Sequence, residues 1–289
     1  MWQLTLDISY LSGTFAESST GGCCGLARIA GEDSLFAAHG SVFRDNTAKL
    51  SGGAFNFFGK ASHSLTDCLV IGNVGGQGGA MDASSGASVS ILRTTFDNNR
   101  ATAIGGCFMV GADCSVSIYE SDILNCWAEE EAGMASIGVG TITITQSIIA
   151  GNGAGGQSGL AKLDASSSVL RIASSTITDT YSGVGEFAIF SEATVPDFAL
   201  LLDTVVVDGS LNIFSRSKVL VQNCIGFNRT AVQNASVGTC ESTTNYCLAE
   251  SCAADDRVGI DCICDIDGVP NPFPTDCMQS AVIEVRRFS

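Results

Sequence analysis

The sequence predicts an all-β chain: a parallel β-solenoid over residues 1–235, then a small cysteine-rich module over 236–289. Three observations carry this. An asparagine-centred phrase returns every 26 to 28 residues, a glycine-pair phrase falls between its copies, and six of the 13 cysteines crowd into the last fifty residues. A fixed period in this range marks a repeat architecture.

The asparagine phrase reads Phe43-Arg44-Asp45-Asn46, Val70-Ile71-Gly72-Asn73, Phe96-Asp97-Asn98-Asn99, Ile123-Leu124-Asn125-Cys126 and Ile149-Ala150-Gly151-Asn152. Its fourth positions fall at 46, 73, 99, 126 and 152. Weaker copies, Phe15-Ala16-Glu17-Ser18 and Ile177-Thr178-Asp179-Thr180, bracket the series at intervals of 28. Between the asparagines stand Gly21-Gly22-Cys23, Gly52-Gly53-Ala54, Gly78-Gly79-Ala80, Gly105-Gly106-Cys107 and a degraded Gly133-Met134-Ala135. Before them run alternating segments such as Ser88-Val89-Ser90-Ile91, Ser115-Val116-Ser117-Ile118 and Thr141-Ile142-Thr143-Ile144. Strict alternation buries one face and wets the other. Each unit therefore reads as two or three short strands joined by turns. One unit cannot bury its apolar face alone, so it stacks on its neighbours as a coil, giving about eight coils.

Residue types at the recurring positions have physical reasons. Glycine pairs permit positive φ and close backbone approach. Asparagine tolerates the left-handed conformation, and its amide can bond the equivalent amide one coil away. Asn46, Asn73, Asn99 and Asn152 are expected to form one structural ladder, with Cys126 filling the remaining rung. Phe43, Val70, Phe96, Ile123, Ile149 and Ile177 should stack as a core column.

Gly-Gly-Ala followed by an apolar residue (Gly52 to Phe55, Gly78 to Met81), alternating with Phe-x-x-Asn (Phe43 to Asn46, Phe96 to Asn99), resembles the double motif of the polymorphic outer-membrane protein repeats. More broadly, residues 10 to 190 look like the pectin-lyase-like superfamily. The resemblance implies a right-handed parallel β-helix. It implies little about function, since that superfamily holds adhesins, fibre components and polysaccharide enzymes.

Composition fits a solenoid. There are 33 glycines and four prolines, three of them (Pro270, Pro272, Pro274) near the end, so proline is scarce where strands must pair along both edges. Acidic residues outnumber basic ones 30 to 14, for a formal net charge of −16. That excludes the basic footprint nucleic acid requires. It suits divalent cations, calcium among them, held between neighbouring chains, and no cofactor is otherwise expected. Glu129-Glu130-Glu131 is expected as a solvated loop. No run of 18 apolar residues offers a membrane span.

Cysteine usage points to an oxidising, extracellular or cell-surface setting. Cys240, Cys247, Cys252, Cys262, Cys264 and Cys277 permit fifteen pairings, and with no histidine nearby they favour disulfides over zinc. Their spacing resembles an epidermal-growth-factor-like module, which implies Cys240–Cys252, Cys247–Cys262 and Cys264–Cys277. Cys23, Cys24, Cys68, Cys107, Cys114, Cys126 and Cys224 are an odd number, so at least one lacks a partner within the chain, and most are expected as small core residues. Sequons stand at Asn228 and Asn234. Asn228 coincides with a ladder-like phrase, which makes Asn234 the better glycan acceptor.

Ile8, Tyr10 and Phe15 match Val89, Ile91 and Phe96 by spacing, so the first coil is expected to begin without a cap and to be covered by another protein chain, a second copy included, or by part of a longer polypeptide. Signals for catalysis are scattered. His39 and His63 occupy different places in their coils, Lys49, Lys60, Lys162 and Lys218 share no column, and Asp67, Asp97 and Asp122 stand at unlike repeat positions. His39-Gly40, Arg216-Ser217-Lys218 and Asp255-Asp256 match fragments of pectin-hydrolase blocks in the wrong order. The expectation is a non-enzymatic structural or adhesive protein, plausibly a unit of a surface filament or matrix with other chains or glycans as partners. The alternative is a carbohydrate-active β-helix enzyme, a lyase or glycoside hydrolase with paired carboxylates.

Overall fold

The computed structural model describes residues 34–165 and 167–183 without a break. It also describes shorter segments within 3–32 and 187–222, and the strands Val232–Gln233 and Ile260–Asp261. Among these residues every regular element is a β-strand and every sheet pairing is parallel.

The chain is a β-solenoid with four faces. A first sheet of ten strands includes Ser62–Thr66, Ser88–Leu92, Cys114–Tyr119 and Gly140–Thr145. A second, of eight strands, includes Val42–Arg44, Leu69–Ile71 and Thr95–Asp97. The third has seven strands, among them Arg100–Ile104, Trp127–Ala128 and Tyr181–Ser182, and the fourth has nine, among them Phe55–Phe58, Met81–Ser84 and Ala161–Leu163. Each coil thus carries four short strands, where the alternation alone had suggested two or three. The extra face is the third. Its strands shrink to two residues at Trp127–Ala128 and Gly153–Ala154, too short to display alternation.

Alternation delivers the core. In the first sheet Val89, Val116 and Ile142 face inward and stack in register, as do Ile91, Ile118 and Ile144. The second sheet stacks Phe43, Val70, Phe96, Ile123, Ile149 and Ile177 in the expected column, all buried. A full side chain of this size stabilises by about 1.5–3 kcal/mol when buried. The column therefore ties successive coils through its length.

Three registers differ from the expectation. Leu11, not Phe15, lies opposite Phe43, and Phe15 pairs with Thr47 on the third face. Likewise Leu4 and Leu6 stand opposite Phe36 and Ala38 in the first sheet, in place of Ile8 and Tyr10. The interval from Leu11 to Phe43 is 32 residues, against 26 to 28 between successive rungs from Phe43 to Ile177, and a fixed interval misplaces the phrases of the first coil. Third, the degraded glycine phrase is Ala132-Gly133-Met134: Ala135 pairs with Phe108, which aligns Gly133 with Gly106.

That last register explains the glycine pair. A Cβ on Gly53, Gly79, Gly106 or Gly133 would sit 1.9–2.1 Å from the carbonyl oxygen of the equivalent glycine one coil on. The second glycine is therefore required by close backbone approach. The first has positive φ (Gly52 60°, Gly78 61°, Gly105 71°), and Ala132 (63°) and Ser158 (64°) hold the same conformation. A Cβ on Gly52, Gly78 or Gly105 would also lie 2.0–2.3 Å from the carbonyl oxygen three residues on, so a side chain there meets both strain and collision.

The cysteine module, with Cys240, Cys247, Cys252, Cys262, Cys264 and Cys277, lies outside the described residues, as do Asn228, Asn234, Cys23, Cys24, Cys224 and the boundary at 235. Among the described residues no helix is long and apolar enough to cross a membrane.

Candidate functional site

The corner between the second and third sheets holds the asparagine ladder. Asn46, Asn73, Asn99 and Asn152 are fully buried. The Oδ1 of Asn99 accepts from the backbone N–H of Asn73 at 3.1 Å and its Nδ2 at 2.9 Å, and Asn99 Nδ2 donates to the Val70 carbonyl at 2.9 Å. Each amide thereby satisfies the buried backbone groups of the previous coil, which would otherwise cost about 1–3 kcal/mol apiece. The left-handed residue at this corner is the one before the ladder: Asp45, Gly72, Asn98, Asn125, Gly151 and Asp179 have φ between 51° and 65°. The ladder asparagines themselves do not, so their value is hydrogen bonding alone.

Cys126 fills its rung as expected, with its N–H donating to Asn152 Oδ1 at 2.9 Å. Its sulfur is bonded to Cys107, with the Cα atoms 5.5 Å apart. These two are therefore not merely small core residues. The bond joins the fourth-sheet corner of one coil to the ladder corner of the next, a proximity that separate columns in the sequence concealed. Cys68 and Cys114 are buried free thiols whose pKa values burial raises, so neither has the marks of a reactive cysteine.

A second ladder, between the first and second sheets, escaped the sequence reading. Cys68 N–H donates to Thr94 Oγ1, Thr94 N–H to Ser121 Oγ, Ser121 N–H to Ser147 Oγ and Ser147 N–H to Ser175 Oγ, at 3.1–3.2 Å. Each hydroxyl passes its own proton to a carbonyl two residues back, as Ser121 does to Tyr119 at 2.8 Å. These positions recur at 26 to 28 residues too. Threonine and serine are so common in this chain that their period does not stand out.

Two clusters lie outside the ladders. Arg93 grips Asp67 with Nε at 2.6 Å and Nη2 at 2.9 Å, and His39 Nε2 lies 3.2 Å from the same carboxylate. The Arg93 hydrogen bonds hold Asp67 below the usual carboxylate range. All three groups are substantially exposed.

The other cluster is a polar seam on the outer side of the fourth sheet. The turn column Ser51, Gln77, Ile104 and Glu131 runs beside the outward residues Asn56, Asp82, Met109, Ser136 and Lys162. At one end Asn56 Nδ2 donates to Ser51 Oγ at 3.2 Å and to Asp82 Oδ2 at 3.0 Å. Burial pushes the Asp82 carboxyl above its ordinary value, although hydrogen bonds from Ser51 and Asn56 oppose it. The Oδ1 of Asn56 is buried with no hydrogen-bond partner. Further along, Lys162 contacts Glu131 and Asp164, the latter at 3.0 Å. Burial works against its charge, but those two carboxylates prevail and raise its pKa. Glu131 is thus tied down rather than part of a freely solvated run, and Glu129 pairs with Arg100 at 2.9 Å.

The expected candidates do not converge. Asp67 stands at the corner between the first and second sheets, whereas Asp97 and Asp122 lie on adjacent strands of the second sheet, opposite Leu124 and Thr95 and not each other. No group of three or more His, Cys, Asp or Glu side chains suited to a metal ion occurs among the described residues. The polar residues mostly tie one coil to the next: Asp67 to Arg93, Asp97 to Asn125, Arg100 to Glu129, Glu131 to Lys162.

No family model, curated protein or solved structure matches this chain.

Proposed function

We propose that the chain is a non-enzymatic, extracellular structural or adhesive protein whose solenoid acts as a rigid spacer or a unit of a surface filament. The observation that carries this reading is the use of polar side chains. Two buried ladders and at least four further side-chain pairs, three of them exposed, join adjacent coils, which stiffens the stack along its axis. The acidic excess favours assembly bridged by divalent cations. We place the chain near the pectin-lyase-like superfamily with right-handed winding, on the Gly-Gly-Ala and Phe-x-x-Asn phrases. The last six cysteines fit an epidermal-growth-factor-like module, with Asn234, and secondarily Asn228, as glycan acceptors.

Light scattering coupled to size exclusion tests the assembly. The expected result is a mass above one chain with calcium and a shift towards the single chain with chelator. A single-chain mass under both conditions overturns it.

A second reading, a carbohydrate-active enzyme, rests on Asp82. A carboxyl whose pKa is raised by burial can hold a proton for donation to a leaving group, and Asn56 Oδ1 is available beside it. The Asp82→Asn variant decides: under this reading it abolishes reducing-end release from a susceptible polysaccharide, and under the first there is no release to abolish.

A further inference from the structure

On the outer side of the third sheet the positions Arg100, Trp127, Gly153 and Tyr181 stand in one column. Trp127 and Tyr181 come from coils on either side of Gly153, and their rings meet over it, with centroids 5.8 Å apart and planes at 20°. A Cβ at position 153 would lie 2.9 Å from Trp127 Cζ3 and 3.2 Å from Tyr181 Cβ. The missing side chain is what lets the two rings come together. Tyr181 remains 57% exposed, so the pair is a wet aromatic surface, unlike the buried rings of Phe36, Phe43 and Phe55.

We propose that this pair is a sugar-stacking platform that holds a neutral pyranose glycan. Aromatic faces attract the apolar C–H face of a pyranose, and tyrosine and tryptophan add a polar edge. Polar groups stand at the platform's rim: Arg100 and Glu129 pair at 2.9 Å, each about half exposed (53% and 47%), presenting donors and an acceptor to ring hydroxyls. The column beside the rings passes from Glu129 to Gly155 and Gly183, so no side chain from those two positions covers them. Charge selects the class of glycan. Glu130 follows Glu129 and Asp179 stands two residues before Tyr181, in a chain of net charge −16, which repels uronates and sulfated sugars. This deepens, and rests on, the adhesive reading above.

The test uses the full chain with Trp2→Phe, which leaves Trp127 as the sole tryptophan. Its emission is followed while cellohexaose, chitohexaose or hexagalacturonate is added. The expected result is a saturable change with at least one neutral hexasaccharide and none with the acidic one. Tyr181→Ala is expected to weaken binding at least tenfold. Because that variant also removes a packing contact, Glu129→Gln serves as a second probe that leaves both rings in place, with a severalfold loss expected. The proposal is overturned if neither neutral sugar alters the emission, if hexagalacturonate binds as tightly, or if both variants bind like the parent. Absent sugar binding in chains that still assemble removes the platform and leaves the scaffold standing. Sugar binding by chains that never assemble does the reverse.

Discussion

The side-chain carbonyl of Asn73 accepts two hydrogen bonds from Asn46, from its backbone N–H at 3.1 Å and its Nδ2 at 2.9 Å. Asn73 Nδ2 in turn donates to the Phe43 carbonyl at 3.1 Å. One amide therefore closes the accounts of three buried groups on the previous coil. Asn73→Ala removes all three of these bonds, and the expected loss is about 2–4 kcal/mol, read as a lower urea midpoint with an unchanged slope. Asn152→Ala should behave alike, because Cys126 N–H and the Ile123 carbonyl depend on it.

Both glycines of a pair should resist a side chain. A methyl on Gly79 would meet the Gly106 carbonyl oxygen at 2.1 Å, and backbone on both sides prevents retreat. Gly79→Ala is expected to yield insoluble or unfolded protein. Gly78→Ala is expected to cost more than the about 1–3 kcal/mol of backbone strain alone, because its Cβ would also lie 2.2 Å from the Met81 carbonyl oxygen, a contact the turn must open to take the side chain that Ala132 and Ser158 carry at the same corner of later coils. A parent-like soluble yield and melting temperature for Gly79→Ala would contradict the register.

Removing the Cys107–Cys126 bond opens a link that spans 19 residues. Loop-closure entropy puts its contribution at about 3 kcal/mol. Cys107→Ala should therefore lower the thermal midpoint, and a reductant should lower that of the parent while leaving the variant unchanged.

Much of this was legible in the sequence, and the reasons differ by feature. The asparagine column and the apolar column from Phe43 to Ile177 stood out because their residue types are rare or large and their period is nearly constant. The hydroxyl ladder from Thr94 to Ser175 has the same period but is built from residues abundant everywhere, so it carried no contrast. The first coil was misread by four residues because its length departs from the period the later coils keep. The Cys107–Cys126 bond and the Trp127–Tyr181 contact were invisible for another reason: each joins positions on different coils whose closeness depends on how the corners turn. The seam around Asp82 was missed because its partners, Ser51 and Asn56, sit in a turn and on a neighbouring strand.

His63 makes stability depend on pH. It is buried and stacked on Phe57 with ring centroids 4.4 Å apart, and its Nδ1 accepts from the Phe36 N–H at 3.3 Å. Burial lowers its pKa from 6.5 to about 4. The folded chain thus holds the neutral ring where the unfolded chain would take up a proton. This stability is intact above pH about 6.5, falls as pH drops towards 4 and levels off below that, for a total on the order of 3 kcal/mol. His63→Gln should flatten the urea midpoint between pH 6.5 and 4 relative to the parent. An unchanged slope in that window would show that the imidazole is not held neutral.

We propose a solenoid that is stiff and joins others of its kind, and negative-stain electron microscopy of the purified full chain in calcium would show the rods directly. Straight rods longer than one chain, shortened by chelator and unaltered by Asp82→Asn, are the expected result. Uniform single particles that ignore chelator, from protein that shortens a polysaccharide and loses that activity with Asp82→Asn, would contradict it.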